Sequence, residues 1–360
     1  MRLAITVTGL AISSLGNSGL SWERNEQLDL GLDIGLLQNR ISLSVDYYDR
    51  ITKDLLLSVN VPTLTGFGSA FKNIGRMSNK GIEFGVSSYN FVGAFTWNTS
   101  ANLSFNRNKV LALGPTGAPI LSGSGVGETN ITMIGHPIGS FYGYKQLGIF
   151  RDAADLHTNP HDNTTRPGDV KYEDVTGDGI LDAKDRTIIG NNQPDFIYGI
   201  NNTFSFKGID LGISLQGTQG GQILNLSRRF FENLEGGGNN LSIVKDRWRS
   251  PENPGNGKVP RANARTTGNN NAVSSRWVED GSYLRIQNIS LGYKLPKAWV
   301  DRINLSQVRI YASAQNLHTW SKYLNFNPEV SNYEGPLTGG VDYGSYPLAK
   351  TVTFGINIGF

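Results

Sequence analysis

Lys350 to Phe360 reads K-T-V-T-F-G-I-N-I-G-F. Val352, Phe354, Ile356, Ile358 and Phe360 fall on one side of an extended strand; Thr351, Thr353, Gly355, Asn357 and Gly359 fall on the other. Side chains of a strand alternate faces with period two, so this is an apolar face backed by a small, polar one. A soluble sandwich also alternates, with one face in the core and one in water. Repetition of the pattern in most strand-like segments points instead to a transmembrane β-barrel, one face on lipid and the other on a wet lumen.

The repetition runs through the chain. Leu28, Leu30, Leu32, Ile34 and Leu36 alternate with Asp29, Gly31, Asp33 and Gly35; Ile209, Leu211, Ile213 and Leu215 alternate with Asp210, Gly212, Ser214 and Gln216. Phe95, Trp97, Thr99, Ala101, Leu103 and Phe105 share a face, as do Phe196, Tyr198, Ile200, Phe204 and Phe206, the last set interrupted by Asn202. Nine segments are long enough to cross a bilayer, which takes about ten tilted residues: 28–38, 40–58, 79–90, 93–107, 195–206, 208–219, 283–294, 307–319 and 349–360. The expected fold is therefore all-β: an antiparallel transmembrane β-barrel, partial, with about nine crossings. Short connections (38–40, 91–93, 206–208 and 295–306) alternate with long ones (59–78, 108–194, 220–282 and 320–348), as in barrels with short periplasmic turns and long extracellular loops. Segment 93–107 ends outside and 195–206 begins outside, so the strand-like run Ser140 to Phe150 belongs to an extracellular loop. The apolar phase slips between Ile286 and Ile289, which predicts a β-bulge near Gln287-Asn288.

Composition agrees. Hydrophobic residues make up 38% of 360, and no run of eighteen apolar residues exists to form a transmembrane helix. A barrel tolerates such modest hydropathy because only half of each strand meets lipid. The net charge of +3 gives no argument for nucleic acid, and the absence of cysteine rules out disulfides and thiolate metal sites. Met1 to Ala11 loosely imitates a signal peptide, yet its basic region is one residue and no small-x-small cleavage site follows. Met1 is expected to lie inside a longer reading frame.

One motif stands out. Asp174, Thr176, Asp178, Asp182 and Asp185 place oxygen ligands at positions 1, 3, 5, 9 and 12 of a twelve-residue loop. Gly179 sits where such a loop turns sharply, and Ile180 offers its carbonyl at position 7, so the spacing is that of an EF-hand calcium loop. Asp185 stands where glutamate is usual, and no helices flank the loop; an acidic, glycine-rich surface turn is the alternative. His157 and His161 are loop histidines separated by Pro160. Gly123 to Gly127 has no strand-to-helix context for phosphate binding. No nucleophile elbow or catalytic cysteine occurs, and the chain does not read as an enzyme. Trp320, Tyr323, Phe326, Tyr333, Tyr343 and Tyr346 suit girdle or loop packing, and sugar stacking as well.

Leu20-Ser-Trp-Glu-Arg24, Gln27 to Asp33, Val45-Asp-Tyr-Tyr48, Thr52 to Leu57, Asn73-Ile-Gly75, Asn79 to Phe84, Phe105 to Val110, Gly139 to Gly143, Gly168 to Tyr172 and Pro194-Asp-Phe196 occur in an order that resembles the carboxy-terminal half of the SusC/RagA family. The resemblance covers essentially the whole chain. It implies an outer-membrane location in a Bacteroidetes-type Gram-negative bacterium and TonB-dependent import of glycans or peptides. It also implies a SusD-like surface lipoprotein as partner, outer-membrane lipid around the barrel, and insertion guided by Phe354, Ile356, Ile358 and Phe360. Such a transporter has about 22 strands around a plugged lumen. Residues 1–360 are thus expected to be the carboxy-terminal part of the barrel, with the plug domain, the TonB-contacting region and the first strands absent. Two other readings remain: a soluble, calcium-containing β-sandwich that binds carbohydrate, and a non-functional fragment of a truncated transporter.

Overall fold

In the computed structural model, residues 16–360 are described except 62, 124, 125, 237, 266 and 331–334. The signal-like stretch Met1 to Ala11, part of the glycine run at 123–127, and Tyr333 fall outside the described residues.

Nine long strands form one antiparallel meander in chain order: β1 Arg24–Leu36, β2 Ile41–Asn60, β3 Ser69–Phe91, β4 Phe95–Leu113, β5 Pro194–Phe206, β6 Ile209–Gly220, β7 Tyr283–Lys294, β8 Gln307–Ser321 and β9 Thr351–Gly359. Among the described residues, each strand pairs only with its neighbours in this order, and β1 and β9 are not paired with each other. The apolar sets lie open rather than in a shared core: Leu30 is 58% exposed and Phe354 79%. Left in water, this face would expose a large contiguous hydrophobic area, so the open apolar face is the face that meets lipid. The opposite face is recessed, with a groove lined by Asp33, Gly35, Ser42, Ser44, Ser87 and Asn102.

Aromatic rings mark two levels on the apolar face. Phe91, Phe95, Trp97 and Phe204 stack near the short turns, and Phe84, Phe105 and Phe196 cluster toward the long loops. Trp97 and Phe105 are eight residues apart on β4, about 26 Å along a strand. A tilt of about 40° reduces this to about 20 Å of height, close to the ~25 Å apolar band between aromatic girdles. Asn202, the interruption on this face, accepts hydrogen bonds from the Trp97 indole at 3.0 Å and the Thr99 hydroxyl at 2.7 Å. Those partners offset the cost of a polar group facing lipid.

The turns explain the register. β5 and β6 are joined by two residues, Lys207 and Gly208, both at positive φ (47° and 85°). That backbone matches the twist of the flanking strands, and glycine adopts it at no steric cost. Between β1 and β2, Leu37, Gln38 and Asn39 all have positive φ. The expected bulge is present: Ile286 pairs with Leu215 and Asn288 with Ser214, leaving Gln287 unmatched on β6.

The long connections hold β-structure of their own. Ile120–Ser122, Asn130–Thr132, Ser140–Gly143 and Thr187–Gly190 form a four-stranded sheet, so the run from Ser140 belongs to a loop as expected. Gln222–Asn225 pairs antiparallel with Val278–Asp280 and parallel with Val341–Asp342. Phe141, Leu224, Leu226, Val273, Trp277 and Val341 pack in one cluster, Phe141 and Trp277 with no exposed surface. Large buried side chains thus lie in the loops while those of the strands lie open, the inverse of a soluble sandwich.

The loop-side ends of β2, β3 and β4 differ from the sequence reading. The connection expected at 59–78 is shorter, because β2 and β3 remain paired as far as Asn60 opposite Ser69. β4 likewise continues to Leu113. Apolar alternation reports contact with lipid and fades at the membrane surface, whereas backbone pairing continues above it. There Leu57, Val110, Leu113 and Ile120 form a separate buried cluster.

Candidate functional site

The polar face of the sheet is a wall of small and hydrogen-bonded side chains. Tyr48 donates to Asn106 at 3.0 Å, Ser104 donates to Glu83 at 3.0 Å, and Arg309 grips Asp210 with Nε at 2.9 Å. Gly81 and Gly355 give this wall its clearances: a Cβ on Gly81 would meet the Tyr48 ring at 2.4 Å, and one on Gly355 the Tyr311 ring at 2.4 Å. Only glycine lets these rings lie flat across the neighbouring strand.

At the loop end of this wall Arg285 of β7 is 3% exposed. It forms an ion pair with Glu329, which lies in the connection between β8 and β9. Its Nε donates to the Thr319 hydroxyl at 2.9 Å and its Nη2 to Asn327 Oδ1 at 3.1 Å. Tyr283 donates to Glu329 at 2.6 Å and Gln216 donates to it at 3.3 Å. Three side chains from two strands therefore converge on a single loop carboxylate, while Thr319 of β8 and Asn327 of the loop hold the guanidinium in place. The same loop is tied internally: the Tyr323 hydroxyl and Asn325 Nδ2 both donate to Asp342. Asp342 is fully buried; burial works against its charge, but Tyr323 and the Gly344 and Ser345 amides outweigh it and hold its carboxyl below the usual range. Burial and the neighbouring Asp342 carboxylate push the Tyr323 phenol up.

The acidic loop closes partly in the way its spacing suggests. Gly179, at φ 81°, donates to Asp174 Oδ2 at 2.8 Å, folding position 6 back over position 1. Asp185 has no exposed surface and accepts from the amides of Val175, Thr176 and Asp182 and from the Thr176 hydroxyl. Thr176 also donates to Asp174 at 3.2 Å, so Asp174, Thr176 and Asp185 come together. Asp178 and Asp182 do not join them: Asp178 accepts from the Ile180 amide, and Asp182 caps the following turn through the Lys184 amide. Among the described residues, no three acidic or histidine side chains gather at metal-ligand distance. The donor set is hard oxygen, suited to Ca2+, but each of the four carboxylates accepts a backbone N–H in this conformation. His161 donates from Nδ1 to the Asn159 carbonyl, 2.8 Å away, within its own turn.

Of the terminal residues, Phe354, Ile356, Ile358 and Phe360 all lie exposed on the apolar side, and β9 pairs with β8 alone. Among the loop aromatics, Tyr323 is buried, while Phe326 and Tyr346 are 73% and 91% exposed. The Arg285–Glu329 cluster and the loop cores escaped the sequence reading. The only signal was a basic residue on the polar side of β7, and nothing in the sequence couples it to an acid 44 residues away.

An apolar ladder open to lipid, two aromatic levels, a polar inner wall and structured loops at one end define an outer-membrane β-barrel, here with edges at β1 and β9. The chain belongs to the TonB-dependent receptor-like β-barrel family, whose sequence profile matches residues 6–317. It is 38% identical to TonB-dependent receptor P3 of Formosa agariphila over 98% of its own length and 36% of that receptor. It is 28% identical to TonB-dependent receptor SusC of Bacteroides thetaiotaomicron over 96% of its length and 32% of SusC. Among solved structures, the RagAB peptide transporter superposes with a TM-score of 0.80 at 29% identity, over 98% of this chain and 37% of that one. The chain thus spans roughly a third of the length of the relatives it matches.

Proposed function

We propose that this chain is the carboxy-terminal barrel portion of a SusC-like TonB-dependent importer of glycans or peptides. The observation that carries the reading is the nine-stranded sheet with one lipid-facing side, one polar side, and two edges free of each other. An unpaired strand edge in lipid costs several kcal/mol for each unsatisfied polar group, so the sheet is one sector of a larger closed wall. The polar side with its Asp210–Arg309 and Glu83–Ser104 pairs is the lumen surface past which substrate moves. The loops above it form the outer vestibule and the docking face for a SusD-like lipoprotein. Energy comes from TonB acting on the plug of the whole receptor. The reading contains no bond-breaking step, and no residue is assigned a catalytic role.

The open apolar ladder counts against the soluble carbohydrate-binding sandwich, since Leu30, Ile213 and Phe354 share no core. The acidic loop is proposed to take Ca2+ through Asp174, Thr176, Asp185 and the Ile180 carbonyl, with Asp178 and Asp182 turning inward. The support is the closure of Gly179 onto Asp174. Deleting the gene in its host and following uptake of labelled oligopeptides and oligosaccharides tests the import reading. Energy-dependent uptake of at least one class should be lost and restored by the full-length gene. Unchanged uptake of both classes, or absence of a full-length product from the outer membrane, would overturn it and favour a non-functional fragment.

A further inference from the structure

A cavity of about 550 Å³ lies within the loops, away from the barrel wall, among Gln146, Arg228, Glu232, Asn256, Lys258 and Arg276. Four separate stretches of two long connections build it: 146–148, 228–243, 256–259 and Arg276. The charges around it do not balance. Arg228 is saturated: it forms two bonds to Glu232 (2.8 and 2.6 Å) and one to Glu279 at 2.8 Å. Those pairs consume both acids. Among the described residues, Arg276 has a single hydrogen bond, from Nη2 to the Glu232 carbonyl at 3.0 Å, and forms no ion pair. Its Nη1 is buried without a partner, and its guanidinium lies over the Trp277 ring at 4.3 Å. Burial lowers its pKa to about 10, despite distant attraction from Tyr172, Glu232 and Glu235. Lys258 is exposed and, among the described residues, unpaired, and its backbone is held by the turn that carries it. Asn256 Oδ1 accepts from the Lys258 and Val259 amides at 2.9 and 3.1 Å, around Gly257 at φ 70°.

A desolvated guanidinium is costly unless an anion offsets it. Here the protein supplies the cation and the recess but not the anion. We propose that this cavity binds a carboxylate group of an acidic ligand, held between Arg276 and Lys258. A planar guanidinium stacked on an aromatic ring presents its edge in a fixed orientation, which suits a planar carboxylate. Leu147, Ile243 and Val259, which also line the cavity, give the ligand's carbon skeleton an apolar surface. The carboxylate can come from a uronic-acid sugar or from a peptide. The inference deepens the import reading by naming a feature of the substrate, and rests on that reading only for the exposure of the loops to the cell exterior.

The test is calorimetry on the full-length receptor in detergent at pH 7 and low salt. The probes are trigalacturonate, its methyl ester, an N-acetylated tripeptide with a free carboxy-terminus, and its amide. At least one acid should bind, with its neutral counterpart weaker by about tenfold or more, and the acid that binds names the source. Arg276→Gln should weaken that acid about tenfold and Lys258→Ala about threefold, with no effect on the neutral probe. Lys258 is exposed and has no side-chain partner among the described residues, so its replacement removes no structural contact and decides the matter if Arg276→Gln is unstable. Acid and neutral forms binding alike, no binding of either acid, or acid binding insensitive to Lys258→Ala would overturn the proposal. The measurement needs neither TonB nor the lipoprotein, so its failure leaves the import reading intact, and unchanged uptake after gene deletion with binding retained would refute only that reading.

Discussion

Replacing Glu329 should loosen the loop between β8 and β9 far more than replacing its partner Arg285. The two ends of the pair are not equivalent: the Arg285 side chain is 4% exposed and that of Glu329 37%. Removing the partner of a buried charge typically costs about 3–5 kcal/mol, because the charge is left without compensation. In Glu329→Ala, Arg285 keeps Thr319 and Asn327, which places the cost at the lower end, about 3 kcal/mol. In Arg285→Met, the part-exposed Glu329 takes up water and keeps Tyr283 and Gln216, so the cost falls to about 1 kcal/mol. Local opening of residues 322–350 should rise about 150-fold in the first variant and about fivefold in the second. The double variant should sit near the Arg285→Met value, since no orphaned charge remains. Limited proteolysis or hydrogen exchange of this loop in the intact receptor reads these ratios directly. Equal effects from the two single variants, or no change in Glu329→Ala, would refute the assignment of the buried guanidinium as the group that needs the loop.

Other outcomes follow from the wall and the loops. Leu30→Arg on the lipid face should cost about 2–4 kcal/mol if near the bilayer midplane and deplete the receptor from outer membranes, whereas Ser44→Arg on the lumen face should not; comparable levels of the two would argue against a lipid-facing ladder. Deleting Phe360 from the full-length receptor should lower its amount in outer-membrane fractions, and unchanged insertion would show that the terminal aromatic has no targeting role. Asp185 is buried, yet donors from Asp182, Thr176 and Val175 hold its carboxyl below the usual range. A depressed folded-state pKa means that its stabilisation is complete above about pH 4–5 and is lost as the pH falls through the folded value. Exchange protection of residues 174–185 should therefore be flat from pH 7 to 5 and fall only in stronger acid; a fall between pH 7 and 5 would contradict it. Calcium titration of the same receptor should give a signal that Asp174→Ala abolishes, and a flat titration of the native protein would reject the metal assignment.

The amino-acid order alone determined the membrane wall. Period-two alternation over nine segments is a direct imprint of lipid on one side and water on the other, and a single-residue slip would invert every side chain. The bulge at Gln287 was legible for the same reason, as a break in phase. The loops were not legible, because their order comes from contacts between residues far apart in the chain. Phe141, Leu224, Trp277 and Val341 meet in one core from three different connections, and no local period announces such a meeting. The ends of β2, β3 and β4 were hidden too: above the membrane, pairing continues after the apolar alternation that marks it has stopped. Charge behaved likewise. Twelve-residue spacing exposed Asp174 to Asp185 as a loop, but which carboxylates turn inward was settled by backbone amides competing for them. Arg285 and Arg276 are ordinary basic residues in the sequence. Only folding gives the first an acid from another loop and leaves the second without one, because burial, not composition, decides whether a charge needs a partner.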